Sequence, residues 1–117
     1  MSTEFGLAAA TVRDLRAVFD ATPGLRRVQI FGSRATGTAG VASDIDLALD
    51  APGWTTPELG TVLQRLEALL LVHKLDVVHW QAVTDPTFVA EIERDRREFW
   101  APLQRAADVE AVGGRTL

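Results

Sequence analysis

The chain has 117 residues, with 12 Lys and Arg, 16 Asp and Glu and no Cys, and a formal net charge of −4. This length suits one domain with a real hydrophobic core, and the lack of Cys excludes disulfides and thiolate metal sites. The longest run of large apolar side chains, Leu69 to Val72, is far shorter than the ~20 residues of a membrane helix. No secretory leader is visible, so we expect a cytoplasmic protein without membrane contact. The acidic balance argues against direct nucleic-acid binding, which needs a dense basic face.

The first half of the chain predicts a helix, a strand, a loop and a second strand. Apolar residues recur at spacings of three and four over 7–21, which predicts a helix that stops at Pro23-Gly24. Residues 25–31 alternate as a strand does. Residues 32–43 are small, polar and rich in glycine, which indicates a loop, and strict alternation returns over 44–49.

The second half predicts a helix, a strand and a last helix. Thr56-Pro57-Glu58 has the composition of a helix start, with Thr56 as the N-cap, and a long apolar stripe follows it. Residues 74–80 predict a strand, and Asp85-Pro86 opens a helix that we expect to continue to Phe99 and Trp100. We therefore expect an α+β fold, a small mixed β-sheet with helices packed on it. Residues 1–100 form the domain, and residues 101–117 form a C-terminal tail that contacts a partner or is mobile.

Three aspartates occupy strand positions, where Asp is normally rare. Asp44 and Asp46 are two residues apart on one strand, so both carboxylates project from the same face, roughly 6.5–7 Å apart. Like charges this close raise each other's pKa unless a cation neutralises them. Asp76 lies in a later strand and could add a third carboxylate. Oxygen ligands of this kind suit Mg²⁺ or Mn²⁺, and two such ions ~3.5–4 Å apart are the usual clamp for nucleotidyl transfer.

A glycine-serine turn follows directly on the strand that ends at Phe31. Gly32 lets a phosphate approach the backbone closely, and the Ser33 hydroxyl with nearby N–H groups could cradle phosphate oxygens. Arg34 adds a planar donor fork suited to phosphate. Each feature alone also fits a plain turn or a solvated strand edge. Their conjunction with the aspartates favours a nucleotide site.

Three stretches together resemble the signature of the polymerase-β-type nucleotidyltransferase superfamily, namely Phe31 to Ala35, Ser43 to Leu49, and Leu75 to Val78. The similarity is greatest to the small stand-alone members called minimal nucleotidyltransferases (MNT). It extends over about residues 5–100 and implies the polymerase-β-like nucleotidyltransferase fold.

The resemblance also implies roles for the matching residues. Gly32 and Ser33 would hold the triphosphate of ATP, and Arg34 would contact phosphate. Asp44 and Asp46 would be catalytic and bind both of two Mg²⁺ ions, with Mn²⁺ as a substitute.

The third aspartate and the acceptor follow from the same resemblance. Asp76 would complete the site of the catalytic metal and help to activate the acceptor hydroxyl. Larger relatives carry a second domain for base or acceptor, and this chain has nearly no residues left for one. Minimal nucleotidyltransferases often pair with a HEPN toxin, which implies an antitoxin that transfers AMP from ATP to a tyrosine of its partner. The chain itself has no Tyr.

Two other functions stay open from the sequence. One is a stand-alone transferase for a small-molecule acceptor, and the other is an antitoxin that acts by binding alone. Among the remaining residues, we interpret His73 and His79 as packed or surface histidines rather than ligands. We interpret Arg94, Arg96 and Arg97, which alternate with acidic residues, as a solvated helix face rather than a nucleic-acid surface.

Overall fold

Helices and strands follow one another closely over residues 4–102, the part of the chain that this computed structural model describes. All but the first two positions of the predicted tail over 101–117 therefore lie outside the described residues. No helix in the described part is long and apolar enough to cross a membrane. The elements in chain order are α1 (Ala9–Asp20), β1 (Arg27–Phe31), α2 (Ser33–Thr36), β2 (Ile45–Asp50), α3 (Thr56–Glu67), β3 (Leu75–His79), a 3₁₀ turn (Trp80–Ala82), α4 (Pro86–Asp95) and β4 (Arg97–Trp100).

The four strands form one mixed sheet in the order β3-β2-β1-β4. Strand β1 is antiparallel to both β2 and β4, and β2 is parallel to β3. Helix α3 lies between the two parallel strands in sequence, as a parallel crossover requires. The predicted α+β class, with a small mixed sheet and helices on it, is confirmed.

Both faces of the sheet are covered, because alternate strand residues point to opposite sides. Helices α1 and α3 cover one face and bury most of the core, including Leu15, Phe19, Val28, Ile30, Leu47, Leu49, Val62 and Leu66. Helix α4 covers the other face, where fully buried Ile92 packs with Phe31 and Ala48. Asp46 has the same parity as Ala48 on β2, so its side chain lies on the α4 face.

The starts of two helices follow the capping rules. The N-cap of α3 is Thr55 rather than the predicted Thr56, because the backbone N–H and hydroxyl of Thr55 donate to the Glu58 carboxylate at 2.8 and 2.6 Å. Asp85 caps α4 by accepting from the backbone N–H of Phe88 at 3.0 Å. Caps of this kind stabilise a helix by about 1 kcal/mol.

The predicted continuation of the last helix to residues 99 and 100 is wrong. Helix α4 ends at Asp95, and Phe99 and Trp100 belong to β4, which pairs with β1. Both side chains are buried, and their rings pack against Phe19 with centroids 6.3 and 6.0 Å away. The Trp100 indole N–H also donates to Asp20 at 2.8 Å. Two neighbouring aromatic residues suit a strand at the sheet edge, and this long-range packing outweighs the helical pattern.

Candidate active site

Two of the three predicted aspartates meet across neighbouring strands. Asp46 on β2 is in register with Asp76 on parallel β3. Partial burial is the largest cause that raises the pKa of Asp46, followed by the charges of Asp76 and Asp44 and a hydrogen bond with Asp76, while Lys74 opposes the shift. Two carboxylates in register on neighbouring strands repel each other unless a positive charge lies beside them. The pair of carboxylates therefore favours binding of a cation.

Asp44 lies just outside the strand, half-buried, at the position before β2 begins. Its charge reaches Asp46, but no three Asp, Glu or His side chains in residues 4–102 converge tightly enough to hold a metal by themselves. Mg²⁺ in nucleotide enzymes commonly takes one or two carboxylates and completes its shell with phosphate oxygens and water. The donor set of Asp46 and Asp76, with Asp44 beside it, fits such an ion.

Gly32 brings the backbone turn against the Asp46 carboxylate. It follows β1 with φ 73° and ψ −155°, a conformation that is essentially restricted to glycine. A Cβ atom at this position would lie 2.5 Å from Asp46 Oδ2, closer than such atoms pack. Ser33 comes next, half-buried, at the start of α2. The predicted glycine-serine turn and the carboxylate pair are thus neighbours in space.

A cavity of about 490 Å³ opens beside this pair, within the range typical of small-molecule sites. One wall belongs to the sheet and the other to α4, and the polar lining comprises Gly32, Asp46, Asp76, Glu91 and Asp95. Glu91 is exposed and Asp95 is half-buried. Their spacing of four residues places them on one face of α4, and this spacing is the feature of the sequence that groups them.

Asp76 also borders a second cavity, of about 610 Å³, on its other side. The apolar lining of this cavity comes from the end of α3, the segment that follows it and β3, and its residues include Leu66, Leu70, Leu71, Leu75 and Val77. Because Asp76 lines both cavities, it lies at the junction between them. Its side chain is 45% exposed, with Lys74 Nζ at 3.8 Å from its Oδ1.

Arg34 does not have the role that the sequence predicted. Its side chain is only 2% exposed, and its guanidinium points into the fold rather than into either cavity. Its N–H groups donate to backbone carbonyls of Phe5, Gly6, Gly40, Ser43 and Asp44 at 2.8 to 3.4 Å. The predicted phosphate contact of Arg34 is therefore wrong, since its donors are already committed.

The two histidines occupy packed positions, in agreement with the interpretation from sequence. His73 Nδ1 lies 3.4 Å from an Arg34 nitrogen. His79 Nε2 lies 2.8 Å from the carbonyl oxygen of Ala51, and its ring packs on Trp54 with centroids 6.1 Å apart. His73 borders the larger cavity beside Asp76, whereas His79 lies away from both cavities.

Comparison with known proteins gives one family and a set of similar folds. The family model described as polymerase beta, nucleotidyltransferase matches residues 13–101. A sequence search of curated proteins gives no match. A solved toxin–antitoxin structure with AMP-PNP matches with TM-score 0.62 and 19% identity, covering 90% of this chain and 86% of that one. A tri-AMPylated Shewanella oneidensis HEPN toxin in complex with MNT antitoxin matches with TM-score 0.57 and 18% identity, covering 92% and 82%. The MntA-HepT toxin–antitoxin structure matches with TM-score 0.57 and 18% identity, covering 93% and 85%. At these identities the likeness is one of fold.

Proposed function

The chain belongs to the polymerase-β nucleotidyltransferase family, and from that premise we propose that it transfers AMP from ATP to a hydroxyl of a HEPN-type toxin and thereby acts as its antitoxin. The observation that carries the proposal is that Asp46 and Asp76 lie in register on neighbouring strands, with the Gly32 turn against Asp46. The choice of acceptor is supported by the similar folds, which come from toxin–antitoxin complexes, one of them with an AMPylated HEPN toxin.

The carboxylates would hold divalent metal, with Asp46 and Asp76 as direct ligands and Asp44 as the third. When bound, Mg²⁺ or Mn²⁺ would offset the negative charge of these groups and of the triphosphate, and would polarise the α-phosphate. Gly32 and Ser33 would hold the triphosphate, because Gly32 borders the smaller cavity and Ser33 follows it at the start of α2.

In the proposed transfer, the acceptor oxygen attacks the α-phosphorus of ATP. An oxygen–phosphorus bond to the acceptor forms, the bond between the α- and β-phosphates breaks, and pyrophosphate leaves. The acceptor proton passes to an Oδ of Asp76, whose side chain is 45% exposed and lies at the junction of both cavities. We assign the smaller cavity to the nucleotide and the larger to the acceptor.

A tyrosine acceptor suits this geometry. A phenol has a pKa of about 10, so it loses its proton to a carboxylate more readily than the alcohol of Ser or Thr does. The apolar lining of the larger cavity also suits an aromatic ring. Since the chain contains no Tyr, a tyrosine acceptor belongs to another molecule.

The experiment combines the protein, α-³²P-labelled ATP, Mg²⁺ and the product of the adjacent gene. We expect label on the partner, and a loss of about a hundredfold or more in rate for Asp46→Asn and Asp44→Asn, because transition-state charge is no longer balanced. Asp14→Asn, an exposed carboxylate on α1, is the matched control and should keep full rate. Replacing the partner's tyrosines with phenylalanine should abolish labelling.

Three outcomes would overturn parts of the proposal. Label on a small molecule and never on protein would favour a stand-alone transferase. Neutralisation of the toxin in cells by the Asp44 and Asp46 variants would favour inhibition by binding alone. Label that persists in both variants would remove the assigned carboxylates from the mechanism.

A further inference from the structure

One buried arginine connects three segments around the proposed site. Arg34 is the second residue of α2, directly after the Gly32-Ser33 turn, and its side chain is 2% exposed. Nη1 donates to the carbonyls of Phe5 and Gly6, at 3.0 and 3.2 Å. This arm of the guanidinium ties α2 to the segment before α1.

The other two nitrogens of Arg34 donate hydrogen bonds to the loop that ends at Asp44. Nη2 donates to the Ser43 carbonyl at 2.8 Å and to Gly40 at 3.4 Å. Nε donates to the carbonyls of Ser43 and Asp44 at 3.2 and 3.3 Å. The side chain therefore contacts the backbone of Asp44 itself.

The loop over 37–44 has no regular secondary structure of its own to fix Asp44. Sheet pairing with β3 begins only at Ile45, whose N–H donates to the Lys74 carbonyl at 2.9 Å. Asp44 thus takes its position on one side from the strand and on the other from Arg34. Because Arg34 follows Ser33 directly, it also sets how far Asp44 lies from the glycine-serine turn.

We infer that Arg34 is a positioning residue for the proposed metal site, which it serves by clamping the carbonyls of Ser43 and Asp44 so that the Asp44 carboxylate stays beside Asp46. This inference rests on the proposed function for its catalytic consequence, but not for its effect on metal binding. Groups that orient metal ligands without touching the metal typically change affinity or activity by about 10–100-fold when they are replaced.

The chemistry of the clamp requires arginine. A guanidinium is planar and presents five N–H donors in a fixed fork, whereas the ammonium of lysine is a point donor that reaches one group of carbonyls at a time. The fit is also tight on the far side, because a Cβ on Gly6 would lie 3.3 Å from Arg34 Nη1. Lysine keeps the charge and loses the fork, so Arg34→Lys isolates the geometry.

The test measures Mn²⁺ binding by electron paramagnetic resonance, with an α,β-methylene analogue of ATP and no acceptor. We expect Arg34→Lys to weaken Mn²⁺ binding by about tenfold or more. In the transfer assay, kcat should fall by a similar factor while the KM for ATP changes less than about threefold, since the Gly32-Ser33 turn is untouched. Arg13→Lys, at an exposed position on α1, is the matched control and should change neither quantity.

A merely structural Arg34 would lower the melting temperature and leave Mn²⁺ affinity unchanged, and that result would overturn the inference. If Arg34→Lys does not fold, Gly6→Ala decides, because it crowds Nη1 while leaving the arginine in place. Weakened Mn²⁺ binding in Gly6→Ala would support the clamp, and unchanged binding would refute it. If Arg34→Lys weakens Mn²⁺ binding but the wild-type protein transfers no label, the proposed function is refuted and this inference stands.

Discussion

Replacing Gly32 with alanine would place a methyl group against the Asp46 carboxylate. The new Cβ would lie 2.5 Å from Oδ2 and 3.4 Å from Cγ of Asp46, but 3.7 Å from its Cβ. The first distance is a collision, the second is tight, and the third is ordinary contact. Asp46 must therefore rotate away from its place beside Asp76, whereas an alanine at position 46 would leave room.

Two costs add up in the Gly32→Ala variant. The backbone at φ 73° and ψ −155° is a region where alanine costs on the order of 1–3 kcal/mol. Rotating Asp46 off its preferred conformation costs about 0.5–1.5 kcal/mol more. The expected loss in free energy of unfolding is thus about 1.5–4.5 kcal/mol, the sum of these two ranges. Transfer activity should fall further than stability does, because the displaced carboxylate is a proposed metal ligand.

A double-mutant cycle separates the two costs. Urea unfolding of wild type, Gly32→Ala, Asp46→Ala and the double variant gives each free energy by linear extrapolation. We expect a coupling of about 0.5–1.5 kcal/mol, because the collision exists only when both the methyl and the carboxylate are present. Gly37→Ala is a further control, since Gly37 also has positive φ and nothing lies within 4 Å of an added Cβ. Zero coupling, with Gly32→Ala no worse than Gly37→Ala, would refute the close approach.

Three further predictions concern charge, capping and packing. Burial and neighbouring carboxylates raise the pKa of Asp46, so ionisation of this group opposes folding. Its contribution to the free energy of unfolding is fully present below the pKa of an unfolded aspartate and is lost as the pH rises through the raised pKa of the folded state. Without divalent cations, Asp46→Asn should therefore melt at a higher temperature than wild type at neutral pH. The difference in melting temperature should disappear at about pH 3, where the carboxyl group is protonated in both states. A lower melting temperature for Asp46→Asn at neutral pH would contradict the raised pKa. Thr55→Ala removes the α3 cap and should cost about 1 kcal/mol in urea unfolding, so an unchanged midpoint would argue against the cap. Ile92→Ala opens a cavity between α4 and the sheet and should cost about 2–5 kcal/mol, whereas a cost under about 1 kcal/mol would mean that α4 is not packed there.

The strand pattern predicted most of what brings the site together. Strict alternation over 44–49 put Asp46 on the face opposite Leu47, and the structure has Leu47 in the main core and Asp46 on the α4 side. The local sequence also predicted the turn at Gly32 and the later strand that contains Asp76. Their meeting in space follows from β2 lying between β1 and β3.

The parts that the sequence missed depend on contacts between distant residues. The segment with Phe99 continues a helical pattern, and only pairing with β1 and packing on Phe19 make it a strand. Arg34 looked like a phosphate ligand because it follows a glycine-serine turn. Its carbonyl partners include Phe5, which lies 29 residues earlier, and no local pattern reveals such a contact.

In the proposed reaction the chain moves a nucleotidyl group, and not a phosphoryl group, to a protein hydroxyl. The most direct measurement runs parallel reactions with α-³²P- and γ-³²P-labelled ATP, Mg²⁺ and the partner protein. We expect the α label to remain on the partner and the γ label to leave as pyrophosphate, with both signals lost in Asp46→Asn. Retention of γ label on the partner, or of α label with Asp46→Asn, would contradict it.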